Sequence, residues 1–262
     1  MTTVLQGFSF PPELEREIFE ATAILFPAFI PTLLRVCHRV HVWIEPLLYR
    51  VLVISKEDGI NSACLATLIQ SKSASLQNGV RHIFIETSYT SSPTETSTYT
   101  NLLATCPGCT NLAIDGILDL DYLPHLDKMR PSNLAFTIGE RFLTAALGGP
   151  GFTHPLFGSV THLDLYSVTS QPITWETCSG LAAIPALTHL ALSHPITGTT
   201  LSQVMGECSK LLVAIVPTYN AIHNEHETAV SLACNLGFTD ARVVVMILNT
   251  SYQVDWELVS KG

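Results

Sequence analysis

The chain has 262 residues and a net charge of −9, with only 13% charged residues against 47% apolar ones. Because a soluble domain usually carries about 25% charged residues, this composition excludes a disordered chain and predicts a sizeable apolar core. The negative charge argues against a nucleic-acid partner, since phosphate groups are bound by basic surfaces.

The apolar stretches and the cysteines indicate the cellular compartment of the protein. The longest apolar stretch, residues 24–34, contains two prolines and ends before Arg35, whereas a membrane-spanning helix needs about 20 apolar residues. Residues 1–10 lack the basic start and apolar centre of a signal peptide. Seven cysteines at irregular spacing are typical of a reducing compartment. We expect a cytoplasmic or nuclear protein without a membrane span.

Residues 1–50 are expected to form a helical head. Pro11 and Pro12 precede a run of acidic residues, which is typical of the first turn of a helix. A largely apolar stripe follows at helical spacing, formed by Leu14, Ile18, Ala21, Thr22 and Leu25. Pro27 and Pro31 interrupt the chain before a second predicted helix at residues 32–44. Periodicity alone predicts a helical hairpin packed on the next domain.

The same region carries a family resemblance. Its opening, Phe10-Pro11-Pro12-Glu13-Leu14, with Ile18, Phe19, residues 34–40 and Trp43, resembles an F-box, whose usual opening is Leu-Pro-x-Glu-Leu. With residues 44–51, it is similar to the N-termini of the F-box-like, leucine-rich-repeat-like proteins of mushroom-forming fungi. The resemblance implies docking onto a Skp1-type adaptor protein of a cullin ubiquitin ligase, whereas the alternative is a vestigial F-box that only caps the following domain. The apolar anchors of such a contact would be Pro11, Leu14, Ile18, Leu34 and Trp43.

A repeat with a fixed register is predicted over residues 51–262. Short apolar strands recur at spacings close to the roughly 20 to 29 residues of leucine-rich repeats. Each strand has a first apolar residue, here called the anchor, and another two positions later, which indicates burial on one face. The anchors are Val51, Ile83, Leu112, Leu134, Leu163, Leu190, Ala214 and Val244.

Helix-compatible segments separate these strands. They are residues 60–71, 97–105, 118–129, 142–147, 201–210 and 225–236. Strand, helix and strand at this spacing predict an α/β chain with parallel strands and right-handed crossovers. We expect an irregular leucine-rich-repeat-like solenoid with a curved parallel sheet. The irregularity follows because the Asn or Cys of standard repeats, five residues after the anchor, is replaced by Ile117, Val168, Pro195 and Tyr219.

The motif Cys106-Pro107-Gly108-Cys109 suggests redox chemistry or half of a zinc site. Apolar residues fill the equivalent positions of sister repeats, and no second such motif completes four ligands. We therefore expect both cysteines to pack in the core as small apolar residues. No cofactor is expected.

The side chains on the other face of the predicted sheet form the concave surface of a solenoid. The polar groups expected to specify a protein target there are Asp115, His162, Asp164, Tyr166 and His189. Three of them, His162, Asp164 and His189, also admit a metal site and a metal-dependent hydrolase. The simplest interpretation is a solvated polar ladder.

These patterns together favour a non-enzymatic adaptor, in which the head recruits ligase machinery and the concave face holds a protein target. A protein-interaction scaffold with a vestigial head, and the metal-dependent hydrolase, are the alternatives. The ending, residues 252–262 with Asp255-Trp256-Glu257-Leu258, resembles the start of a longer tail in the family. It predicts an incompletely capped last repeat.

Overall fold

The fold is built on one parallel β-sheet. The structure is a computed structural model, and it describes residues 10–55, 59–87, 92–117, 120–137, 152–166, 173–192, 196–219, 233–234, 236–237, 239–248, 254 and 256. Within these residues, eight strands pair in parallel and follow one another across the sheet in chain order. They are β1 (Val51–Ile54), β2 (His82–Glu86), β3 (Asn111–Ile117), β4 (Asn133–Thr137), β5 (His162–Tyr166), β6 (His189–Leu192), β7 (Val213–Tyr219) and β8 (Val243–Leu248). The predicted α/β class and the parallel pairing are confirmed.

Eight α-helices accompany the sheet in the described part of the chain. They are α1 (Pro12–Leu25), α2 (Ile30–Leu33), α3 (His38–Ile44), α4 (Ser62–Gly79), α5 (Pro93–Thr105), α6 (Leu123–Met129), α7 (Trp175–Cys178) and α8 (Gly198–Glu207). Side chains of Asn61, Ser92 and Thr197 cap the starts of α4, α5 and α8 by accepting backbone N–H groups. None of the described helices is both long and apolar enough to cross a membrane.

Four of the predicted helical segments are confirmed with shifted ends. They are residues 60–71, 97–105, 118–129 and 201–210, which correspond to α4, α5, α6 and α8. The helix predicted at residues 142–147 lies outside the described residues, as does nearly all of the one predicted at 225–236.

The main apolar core lies on one face of the sheet, between the strands and the helices from α4 onward. Strands β2 to β7 each place the predicted anchor and the residue two positions later in this core. In β5, for example, Leu163 and Leu165 are 2% and 0% exposed, whereas the intervening Asp164 is half-buried. The six anchors lie side by side across the sheet as Ile83, Leu112, Leu134, Leu163, Leu190 and Ala214. The predicted register is therefore confirmed for these strands.

The predicted anchors of the first and last strands are wrong by one residue. In β1 the residue paired with Ile83 is Leu52, which is buried, rather than Val51. In β8 Val243 pairs with Ala214 and packs on the core, whereas Val244 is exposed. Both strands are apolar at every position, so a pattern of period two cannot select the inward face. Pairing with one neighbouring strand makes that selection instead.

A ladder of hydroxyl groups runs along the sheet two residues before the anchors of β3 to β6. The hydroxyls of Thr110, Ser132, Thr161 and Thr188 each donate to the carbonyl oxygen of the equivalent residue in the preceding strand, at 3.1 to 3.3 Å. The first acceptor in this ladder is the carbonyl of Arg81. The ladder was not predicted, although Thr or Ser before each of these strands was a visible signal. It links successive turns of the chain at the amino-terminal end of the strands, opposite the end at which standard repeats carry their Asn.

The two cysteines of the Cys-x-x-Cys motif pack in the core, as predicted. Cys106 and Cys109 are 0% and 1% exposed. Burial raises the pKa of the Cys106 thiol to about 12. It also raises the pKa of Cys109, whose thiol donates to the carbonyl of Asn111 at 3.2 Å. Because the thiolate is the reactive form, these shifts disfavour redox chemistry at this motif.

The head has a small core of its own, formed by Ala23, Ile30, Val40 and Ile44. The prediction of one helix over residues 32–44 is wrong, because Cys37 is extended, with φ −164° and ψ 167°, and separates α2 from α3. The break has a packing reason. It allows Ile30 of α2 and Val40 of α3 to enter the same cluster as Ala23 of α1.

A 3-10 helix, Glu45–Tyr49, connects the head to the sheet. The carboxylate of Glu45 accepts from Lys72 Nζ at 2.6 Å and from Ser75 Oγ at 3.0 Å, both in α4. The hydrogen bond from Lys72 is the largest cause that lowers the pKa of Glu45. The backbone also approaches closely, since a Cβ on Gly79 would lie 1.9 Å from the carbonyl oxygen of Pro46.

Candidate functional site

The side of the sheet opposite the helices carries the polar groups that the sequence predicts as target-binding. We call this side the polar face. One residue from each of β2 to β6 forms a continuous row across it, and these are His82, Asn111, Asn133, His162 and His189. The row follows from the confirmed register, because side chains alternate along each strand.

His162 and His189 are stacked neighbours in this row. Their ring centroids are 4.1 Å apart and their planes differ by 5°. The Nδ1 atoms lie 2.9 and 2.8 Å from the hydroxyl oxygens of Thr161 and Thr188. When each hydroxyl donates its single proton along the ladder, each Nδ1 donates to that hydroxyl and Nε2 is left as an acceptor. Burial lowers the pKa of His162, and the neighbouring His189 lowers it further.

This stacking bears directly on the metal-dependent alternative. A zinc ion lies about 2 Å from its imidazole nitrogen, close to the plane of the ring. Two parallel rings that stack at 4.1 Å cannot both hold one ion in their planes. Among the described residues, no group of three or more His, Cys, Asp or Glu side chains is placed to hold a metal ion.

Asp164 lies two residues after His162 on the same face of β5. It belongs to a second row, in which its neighbours are Ala135 of β4 and Ala191 of β6. It shares with His162 and His189 the wall of a cavity of about 190 Å³ on the polar face. Three of the five predicted target-binding residues are therefore brought together. The cavity is also bounded by Asn133, Ile215 and Trp256.

Asp115 lies at the opposite, carboxyl end of the strands, beside Glu86 of β2. Burial raises the pKa of the Asp115 carboxyl, and the nearby Glu86 raises it further. Here β3 is irregular, because its pairing with β4 shifts between Ile114 and Ile117. The shift requires Gly116, which has φ 134° and whose Cβ position lies 1.9 Å from Thr87 Oγ1.

Tyr166 spans three strands of the polar face. Its hydroxyl donates to the carbonyl oxygen of Ile114 in β3 at 2.7 Å, reaching across β4. Its ring packs against a second, smaller apolar cluster formed by Phe84, Ala113 and Ala135. The phenol that was predicted to contact a target therefore makes a hydrogen bond within the sheet.

Trp256 also packs against the small cluster of Phe84, Ala113 and Ala135. It was not predicted as a site residue. Its ring lies 5.6 Å from the ring of Phe84 and 6.5 Å from that of His82, centroid to centroid. Burial lowers the pKa of His82, and Arg50 and Arg81 lower it further. The sequence shows a tryptophan near the end of the chain but contains no signal for where it packs.

The head presents an apolar surface of a different kind. The stripe predicted on α1 points outward, with Leu14, Ile18 and Leu25 exposed by 47%, 52% and 70%. The inward face of α1 is formed by Phe19 and Ala23 instead. The stripe that helical spacing identifies is therefore not the buried face of α1.

The five predicted anchors of the head divide into two groups. Pro11, Leu14 and Ile18 are exposed at the start of α1. Leu34 and Trp43 are partly buried against the head's own core, and the guanidinium of Arg39 lies 5.9 Å from the centre of the Trp43 ring. The structure thus presents two candidate surfaces, the α1 stripe and the polar face.

Neither a scan of the chain against protein-family models nor a search of curated proteins found a match.

Proposed function

We propose that the chain is a non-enzymatic adaptor. In this proposal the F-box-like head, residues 1–50, docks onto a Skp1-type adaptor protein of a cullin ubiquitin ligase. An irregular leucine-rich-repeat-like solenoid, residues 51–262, presents the polar face to a protein target. The observation that carries the proposal is the outward-facing apolar stripe of α1.

The stripe is part of a concentration of exposed apolar side chains in the head. Among the described residues, ten of the fourteen large apolar side chains that are exposed lie between Phe10 and Leu48. Of these ten, Leu14, Ile18 and Leu25 share one face of α1, and contiguous exposed apolar surface marks sites of protein–protein contact. Full burial of one such side chain contributes about 1.5 to 3 kcal/mol, so a few anchors account for the stability of an ordinary interface.

The sheet supports the second half of the proposal. Each strand pairs with the next one in the chain, as expected when every turn of a solenoid contacts only its neighbours. The polar groups of successive strands are then held at about 4.8 Å spacing. A row of this kind offers hydrogen-bonding groups to an extended partner.

Binding of the head to a ligase partner distinguishes the adaptor from the alternative scaffold. A scaffold with a vestigial head predicts the same fold without a ligase partner. The metal-dependent hydrolase needs ligands that converge, and within the described ranges His162 and His189 are stacked instead and no group of three or more ligands is placed to hold an ion. We therefore do not propose it.

A binding assay tests the proposal with the full chain and a purified Skp1-type protein. The double variant Leu14→Asp with Ile18→Asp should reduce affinity at least about tenfold, since two apolar anchors become charged. The matched control is Leu212→Asp, at another exposed leucine that lies far along the chain, in the segment before β7. It should bind like the natural chain. Absence of binding by the natural chain would favour the vestigial head, and equal binding by the double variant would refute the role of the stripe.

A further inference from the structure

The cavity on the polar face is formed by two adjacent rows of side chains. One row supplies polar walls, and the other supplies a single carboxylate among small and apolar residues. The lining from the first row includes Asn133, His162 and His189, and that from the second includes Ala135, Asp164, Ala191 and Ile215. The volume of about 190 Å³ is below the roughly 300 to 1,000 Å³ of pockets for drug-sized ligands. The cavity therefore has the size for one long side chain of a partner.

We propose that this cavity binds the side chain of an arginine in the protein target. The inference rests on the proposed function, which it deepens by naming the chemistry that the polar face recognises. It requires no movement of Trp256, because the cavity is present with that residue in place. The apolar part of the lining contacts the methylene groups of the arginine, and the polar walls contact its guanidinium.

The two histidines offer hydrogen-bond acceptors to the cavity. The hydroxyls of Thr161 and Thr188 donate to backbone carbonyls, so each Nδ1 donates to its hydroxyl and each Nε2 is an acceptor. Burial and the neighbouring ring lower the pKa of His162, which keeps its imidazole neutral near pH 7. Parallel rings 4.1 Å apart cannot direct both lone pairs at one atom. A group with several separate donor atoms therefore fits them best.

The charge of the sheet favours a cation. The eight strands contain three charged residues, Glu86, Asp115 and Asp164, and neither lysine nor arginine. The register places all three carboxylates on the polar face, and Asp164 is the one that lines the cavity. A guanidinium carries a positive charge and five N–H donors on a planar group, whereas a lysine ammonium is a compact charge with three donors. Arginine is therefore the better match.

A titration of the full chain, followed by NMR of the histidine ring protons, tests this inference. The probes are three pentapeptides that differ only in the central residue, which is arginine, its neutral isostere citrulline, or lysine, between glycine and serine residues. The arginine peptide should shift the signals of His162 and His189 saturably, and the variants His162→Gln and His189→Gln assign those signals. The citrulline peptide should bind at least about tenfold more weakly, because the charge is lost. The lysine peptide should bind at least about threefold more weakly.

Two variants separate the cavity from the general charge of the face. Asp164→Asn should lower the affinity for the arginine peptide at least about tenfold, because it removes the carboxylate that lines the cavity. The matched control is Glu86→Gln, which removes one charge from the same face three strands away. It should bind the arginine peptide within about twofold of the natural chain, since distant exposed charges are screened.

The inference is overturned if the citrulline or the lysine peptide binds as tightly as the arginine peptide, or if no peptide shifts the two histidine signals. It is also overturned if Asp164→Asn, shown to be folded by thermal unfolding, binds the arginine peptide like the natural chain. Should Asp164→Asn not fold, the comparison of the three peptides on the natural chain decides. No Skp1-type protein takes part in this assay, so the arginine site can fail while the head contact holds, or the reverse.

Discussion

The imidazole rings of His162 and His189 stack face to face across β5 and β6, with centroids 4.1 Å apart. The contact follows from the register, which pairs these residues directly, and from the hydroxyls of Thr161 and Thr188, which hold both Nδ1 atoms. Two imidazolium cations at this distance would repel each other. Burial and the neighbouring ring therefore both disfavour the charged form of His162.

The first prediction concerns pH. Burial lowers the pKa of both His82 and His162 in the folded chain, so the unfolded chain binds more protons just below the ordinary histidine pKa of about 6.5. The contribution of these histidines to the free energy of unfolding should then be fully present above that pH. It should be lost as the pH falls from about 6.5 toward their folded-state pKa values. Urea unfolding measured at a series of pH values checks this.

The variant His162→Gln isolates the contribution of His162. It removes one titrating ring from the polar face, so the dependence of unfolding free energy on pH should become shallower between about pH 5 and 6.5. His82 should continue to contribute the remainder. A dependence as steep as that of the natural chain would show that His162 does not contribute to acid sensitivity.

The second prediction compares the two faces of one strand. Leu163→Asp places a carboxylate in the main core, where an unpaired charge costs several kcal/mol (about 3 or more), and should abolish cooperative unfolding. His162→Ala, the adjacent change on the polar face, should lower the free energy of unfolding by less than about 1 kcal/mol. Thermal unfolding followed by circular dichroism distinguishes them. A more harmful His162→Ala would contradict the observed register.

The third prediction concerns the irregularity in β3. Gly116→Ala should destabilise the fold by at least about 2 kcal/mol, because a side chain at φ 134° is strained and its Cβ would meet Thr87. The matched control is Gly158→Ala, since a Cβ at Gly158 meets nothing within 4 Å. The control should be neutral or slightly stabilising. Equal stability of the two variants in urea would mean that the bend at Asp115 does not depend on glycine.

Several features could be predicted from local pattern alone. The anchors of β2 to β6 were identifiable because a polar residue precedes each of them, and in β5 the alternation is complete, as His162-Leu163-Asp164-Leu165. The alternation fails in Val51–Ile54 and in Val243–Leu248, which are apolar throughout, and there the predicted register was wrong. The burial of Cys106 and Cys109 was predictable for the same reason as the anchors, since they occupy apolar positions of the repeat.

The candidate site could be predicted only in part. His162, Asp164 and His189 were expected to be neighbours, and they line one cavity. The hydrogen bond from Tyr166 to Ile114 was not foreseen, because the spacing of residues along β5 does not show which carbonyl of a strand two places away the hydroxyl reaches. In the head, helical spacing identified the apolar stripe of α1 but could not tell whether it faces the core or the exterior.

The sequence by itself determined the strand spacing, the order of the elements and the residues that face the core in most strands. These properties depend on neighbours along the chain, whose alternation and capping act locally. Tertiary packing alone decided that Leu14 and Ile18 face outward and that Trp256 packs on Phe84. It also decided that Leu52 and Val243 are the residues that face the core in the two edge strands. Each of those outcomes depends on a surface supplied by a distant segment, and no short-range pattern encodes which segment that is.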